Sequence, residues 1–180
     1  MTRAQADSAG SIRILAESKR LPKACLDRWL SMDEGSRDAL LSVAEDLRLR
    51  TGQIVTALDL LDEIAVRERV PPAAILSREE LRRIIGGSGS GPARASAFLI
   101  SLRSIRYPRL AAATEELRAE ISALRLPRGV SLKLPKELGS DELTISIQAG
   151  NPAQLERAVA ALTEKIGGLA RIFDLLGGRG

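Results

Sequence analysis

The chain has 180 residues, of which 44% are hydrophobic, 28% are charged and none is histidine, with a net charge of +4. The absence of histidine excludes Ser-His-Asp and Cys-His triads and removes the commonest proton shuttle and metal ligand. Cys25 is the single cysteine, which excludes an intramolecular disulfide and a Cys/His zinc cluster and fits a reducing compartment.

The apolar content comes almost entirely from Leu, Ile, Ala and Val, with Trp29, Phe98, Tyr107 and Phe173 as the aromatics, a mixture that favours helices over a sandwich. The N-terminus has no apolar run of signal-peptide length, and no segment approaches the roughly 18 apolar residues of a membrane span. The expectation is a soluble, cytoplasmic chain with no membrane segment. Charge is unevenly spread. Residues 78–136 hold 12 Lys+Arg against 5 Asp+Glu, whereas residues 1–77 hold 11 against 12 and residues 137–180 hold 4 against 6. A basic block between near-neutral flanks is either a footprint for a polyanion or a set of arginines lying along solvated helix faces.

Residues 1–14 are small and polar and read as a flexible N-terminus. Helical signals follow over 15–86. Pro22 suits a first turn ahead of Leu26, Trp29 and Leu30. Asp33 or Ser36 can cap a helix carrying Leu40, Val43 or Ala44, and Leu47, with Gly52 as its stop. In the next helix Ile54, Leu58, Leu61 and Ala65 form one stripe, and Asp59, Asp62, Glu63 and Glu68 lie opposite. Those acids sit at the i, i+4 spacings of an ordinary solvated helix, so no catalytic or metal constellation is read from them. "PPAAIL" is a turn-helix, and Ser77 with Glu80 forms a capping box opening "LRRII".

Residues 87–91 are a Gly/Ser linker inside "IIGGSGSGPARAS". Gly86 and Gly91 have the spacing of a phosphate-binding loop, but Pro92 and Ala93 stand where GxxxxGK[ST] requires Lys and Ser/Thr. A dinucleotide fingerprint fails too, because the preceding segment is helical. Pro92 instead suits the start of a new helix capped by Gly91 or Ser90, with any anion held only by the amides of that start, beside Arg94.

Residues 92–180 read as helix, helix, strand, strand, helix, helix. The first helix points Phe98, Leu102 and Ile105 inward and carries Arg94, Arg103 and Arg106, with Arg109 just beyond Pro108. The second, capped near Thr114, buries Leu117, Ile121 and Leu124. Then the period changes to alternation: Val130, Leu132 and Leu134 share one face, as do Leu143, Ile145 and Ile147, and "PKELGSDE" joins the strands. Asn151, Pro152 and Gln154 open a strong helix that two glycines end, and "LARIFDLL" is a last short helix. The fold class is mainly α with a small α+β C-terminal part. A two-stranded sheet is marginal alone, so covering helices or a homodimer through this region would complete it.

The run "LRSIRYPRL", with the helix, the "LPRGV" turn and the two strands after it, resembles the C-terminal part of bacterial ParB-like partition proteins. The upstream "LPKACLDRWL" and "LLSVAEDLRLRTGQIVTALDLLDEIAVRE" resemble the segment C-terminal to their helix-turn-helix. The likeness covers residues 15–176. The N-terminal nucleotide-binding domain of that family has no counterpart here, so its nucleotide and nuclease activities do not carry over. No basic recognition helix stands out.

Two functions are expected from different classes. In the first, the chain is a non-enzymatic, DNA-associated protein of the partition type that contacts phosphates through Arg94, Arg103, Arg106 and Arg109, aided by Arg82 and Arg83. In the second, it is a helical interaction or scaffold domain that homodimerises, engages a protein partner and leaves DNA alone. No catalytic residue, cofactor or metal is assigned. Cys25 beside Lys23 and Arg28 reads as a buried apolar residue, and Tyr107 before Pro108 as a packing residue.

Overall fold

The computed structural model describes residues 3–134 and 142–176, with no account of the side chains of residues 3–7. Within that range the chain forms ten helices and one two-stranded sheet, in the order of mainly helices, then strand-strand, then helices. It divides into two compact units, Met1–Tyr107 and Pro108–Gly180.

The first unit is built around α4 (Thr51–Glu68), whose Ile54, Ala57, Leu58, Leu60, Leu61 and Ile64 are all buried. That is a much wider apolar arc than a surface helix carries, so α4 needs neighbours on several sides. These are α2 (Lys23–Ser31), α5 (Pro72–Leu76) and α7 (Gly91–Arg106). Trp29 of α2 is fully buried and donates its indole N–H to the Arg37 carbonyl at 3.3 Å. Phe98 and Leu102 of α7 are buried and Ile105 half-buried. The same core takes in Cys25 and residues from α3 (Glu34–Asp46) and from α6 (Glu79–Ile85).

Residues 1–14 were expected to be flexible, but α1 (Arg3–Lys19) is helical from Arg3, and Ile12 is fully buried in this core. One buried apolar side chain in a polar stretch is too little periodicity to read from sequence; with Leu15 and Ala16 just beyond, it docks the helix. Asp33 caps α3 as expected, accepting from the Ser36 amide at 2.9 Å. Ser36 is itself fully buried: its hydroxyl donates to Asp33 at 2.6 Å and accepts from the Ala73 amide at 3.0 Å, tying the start of α3 to α5. The Ser77–Glu80 box does not form. The Ser77 hydroxyl turns back to the Ala74 carbonyl, and Arg78 takes the N-cap position of α6.

The helix stops follow an unexpected rule. Gly52 does not end α3; it lies in the first turn of α4. Arg20, Arg48, Arg69 and Arg125 occupy the left-handed region at φ of 51°, 49°, 57° and 46°. At Arg20 and Arg48 both bonds of a Schellman closure are present: Leu21 N–H to the Ala16 carbonyl and Arg20 N–H to Glu17, then Leu49 to Ala44 and Arg48 to Glu45. The residue after each arginine is apolar and packs into a core: Leu21, Leu49, Val70 and Leu126. A left-handed conformation costs a non-glycine residue about 1 kcal/mol. A cation beside the negative end of a helix recovers a few tenths of that or more.

The Gly/Ser stretch does not divide the compact units. α7 packs against α4 and α6 and so belongs to the first unit, and the division falls at Tyr107–Pro108.

The second unit begins with α8 (Pro108–Ala123), which starts at the proline and not near Thr114; that hydroxyl donates to the Leu110 carbonyl one turn back. Strands β1 (Val130–Lys133) and β2 (Thr144–Ile147) pair antiparallel, with Val130 opposite Ile147 and Leu132 opposite Ile145. Most of the expected connection "PKELGSDE" lies outside the described residues. α9 (Pro152–Glu164) is capped by Asn151, whose side chain accepts from the Gln154 amide at 2.9 Å, while Gln154 accepts from the Gly150 amide at 2.8 Å. Gly167 and Gly168 lie inside α10 (Ile166–Leu176) and do not stop α9. A methyl on Gly168 would overlap Leu124, so glycine is what lets α10 close on the end of α8. The core here is small: Leu117, Leu124, Leu169, Ile172 and Leu176, flanked by half-buried neighbours.

Replacing Arg69 by Gly should stabilise the protein by about 0.5 kcal/mol, the relief of left-handed strain less the lost attraction to the α4 terminus. The midpoint of urea denaturation measures it; a lower midpoint would contradict this account of the helix stops.

Candidate functional site

The six arginines expected to contact phosphates do not form one free surface. Arg94, in the first turn of α7, is half-buried and spans two helix ends, with Nη1 donating to the Ile85 carbonyl of α6 and Nη2 to the Asp46 carbonyl of α3 at 3.2 Å. Its Nε is buried with no partner among the described residues. Arg106 pairs with Glu63 of α4 and lies over the Tyr107 ring at 4.7 Å from its centroid. Arg83 pairs with Glu79 one turn earlier on an exposed face.

Arg82 and Arg103 are exposed and make no ion pair among the described residues. Arg109 is also exposed but belongs to the second unit.

The acids of α4 explain much of this. Asp59 and Asp62 both accept from Arg28 of α2, at 2.8 and 2.6 Å, and Glu63 accepts from Arg106. Glu68 is shared by Arg67 and Arg78. Arg67 in turn donates to the Ile105 and Arg106 carbonyls at 2.6 and 2.5 Å, covering the C-terminus of α7. Thus Arg94 near one end of α7 and Arg67 at the other hold backbone carbonyls that would otherwise lack donors. Where four acids in one helix suggested an ordinary solvated face, the fold gives each a guanidinium from outside the helix.

These contacts set the electrostatics. Arg67 first, then Arg78, hold the Glu68 carboxyl below the usual carboxylate range. The Ser36 hydroxyl and amide do the same for Asp33, and Asp59 and Asp62 raise the Arg28 guanidinium. No group of three or more Cys, Asp or Glu side chains among the described residues is placed to hold a metal ion, and no described helix is long and apolar enough to cross a membrane.

Sequence reasoning missed two features. A cleft of about 550 Å³ opens at the start of α7, lined by Arg48, Arg50 and Arg94 together with Asp46, Gln53 and Ser96. Arg48 and Arg50 fall outside the basic block, in a stretch whose acids balance its cations overall, so summed charge concealed them. The other feature is apolar. In the second unit Leu155 and Val159 of α9, and Ile166 and Phe173 of α10, are 46%, 49%, 68% and 45% exposed. Val159, Ile166 and Phe173 stand seven residues apart in sequence, but the helix breaks at Lys165, so they do not form a heptad seam on one helix. Ile145 of β2 is also exposed, against the expected inward alternation, while its neighbour Leu143 packs on the core.

Comparison with protein-family models, curated proteins and solved structures returns no match.

Two outcomes test the site chemistry. Arg94→Ala should cost about 1–3 kcal/mol of stability, because carbonyls at two helix ends lose their donor, whereas Arg103→Ala should change it by less than about 0.5 kcal/mol. Equal effects in calorimetry would contradict the assigned roles. A depressed carboxyl pKa contributes stability above its unfolded value, about 4, that is lost as pH falls through the folded value. Urea midpoints should therefore drop as pH falls below about 4, and Glu68→Gln should shallow that drop.

Proposed function

We propose that this chain is a non-enzymatic interaction module that self-associates through its second unit. The observation that carries the reading is the exposed apolar row of Leu155, Val159, Ile166 and Phe173, set on a unit whose own core is small. Exposed apolar side chains of this size, where they gather, form an interaction surface more often than a monomer surface. A second copy suits the row chemically. Residues 108–180 carry 10 Lys+Arg against 9 Asp+Glu, so net charge does not oppose the approach of two copies. The two-stranded sheet, marginal by itself, would gain from such association.

A nucleic-acid reading, akin to the ParB-like partition proteins that "LRSIRYPRL" and the elements after it resemble, is favoured by a different observation: Arg82 and Arg103 are exposed and lack ion partners among the described residues. It ranks second because Arg94, Arg106 and Arg83 are already engaged within the first unit.

The full chain should sediment as a concentration-dependent dimer, and Val159→Glu with Phe173→Glu should make it monomeric with unchanged helical circular dichroism. A monomer at all concentrations would remove the proposal. For the second reading, mobility shift with random duplex DNA should appear at low salt and weaken in Arg82→Gln/Arg103→Gln; no shift at low salt would dispose of it.

A further inference from the structure

The cleft at the start of α7 gathers three guanidinium side chains, two from the α3–α4 connection and one from α7. Arg48 lies in the left-handed turn after α3, Arg50 immediately precedes α4, and Arg94 lies in α7. Arg48 and Arg50 are exposed and have no ion pair among the described residues. Arg94 is fixed in place by its two carbonyl contacts. Asp46 is the acid on the wall, and its carboxylate accepts from the Ser42 hydroxyl at 3.3 Å. Three cations against one acid leave the lining with a surplus of +2.

Other groups there also donate. Ser96 and Gly91 line the cleft, and the Gly91 amide at the head of α7 has no acceptor among the described residues. Ser90, the N-cap residue, makes no side-chain cap bond, so the helix start is not closed off by its own sequence. A planar guanidinium forks onto two oxygens at once, and several such forks around one tetrahedral oxyanion match phosphate better than carboxylate.

We propose that this cleft is a binding site for a phosphate group, held by Arg48 and Arg50 and backed by the anchored Arg94. The site is separate from the apolar row of the second unit and does not rest on self-association. It also differs from the Arg82 and Arg103 surface, because it lies where α3, α4 and α7 meet. Arg94 acts as a positioning residue as much as a ligand: with two donors committed to carbonyls, it holds the start of α7 in place while Arg48 and Arg50 close on the anion.

The test is a titration of the isotope-labelled full chain, monitored by amide and guanidinium resonances. Inorganic pyrophosphate and a short DNA duplex serve as parallel probes, each against sodium chloride of equal ionic strength. Saturable shifts are expected at residues 48–50 and 91–94. In Arg48→Gly/Arg50→Gln the affinity should fall about tenfold or more, the order expected when two charge-assisted contacts are lost. Glycine is chosen at 48 because it takes the left-handed turn without strain. Arg82→Gln/Arg103→Gln should bind as the parent does at these residues.

Saturation by pyrophosphate alone identifies a small phosphate ligand, and saturation at the same residues by the duplex identifies a backbone phosphate; both support the site. Absence of saturable shifts with either probe overturns it, as does equal binding by the Arg48→Gly/Arg50→Gln chain. Loss of duplex binding only in Arg82→Gln/Arg103→Gln would support the separate nucleic-acid surface and overturn this one as the DNA contact.

Discussion

The burial of α4 is the constraint on which the first unit rests. Six of its apolar side chains are buried, and the helices that cover them bring their own charges against the acids left on its remaining surface. Each ion pair so formed is at least partly exposed, and such pairs contribute about 0–1 kcal/mol. They do not hold the unit together. Apolar packing does that, at about 25 cal/mol per Å² removed from water. What the pairs and the carbonyl contacts select is registry: Arg28 sets α2 on α4, while Arg67 and Arg106 set the end of α7.

That arrangement changes the meaning of a basic sequence. The excess of arginine over residues 78–136 invites a polyanion, yet Arg78, Arg94 and Arg106 are directed at Glu68, at helix carbonyls and at Glu63. Four further arginines end helices in the left-handed region, where glycine would ordinarily stand. Many of the chain's arginines thus serve chain termination and helix docking, Arg78, Arg94, Arg106 and Arg125 of the basic block among them. The exposed surface that remains includes the guanidinium groups of Arg48, Arg50, Arg82 and Arg103, unpaired among the described residues, on the first unit and the apolar side chains of α9 and α10 on the second.

The elements were legible wherever a local rule acted alone. Asp33 and Asn151 cap as their side chains dictate, two strands pair where the period changes, and Pro108 separates two helices. Readings failed where tertiary contact overrode the local signal. Gly52 and Gly167–Gly168 looked like stops but sit within helices, because Arg48 closes α3 and Gly168 is needed against Leu124. Ile12 makes an apparently polar terminus part of the core. The candidate site was legible in charge but not in partners: sequence marks Arg94 as a cation, and only the fold reveals the carbonyls of Ile85 and Asp46 in front of it. Arg48 and Arg50 went unseen for the opposite reason, since neighbouring acids hide them in any regional sum.

The central claim is that the apolar row of the second unit is covered by a second copy of the chain. Hydrogen–deuterium exchange of the full chain across a range of protein concentrations tests it most directly. Amides of residues 155–166 should become more protected as concentration rises, while those of α4 stay constant. Protection of residues 155–166 that is independent of concentration would contradict the account.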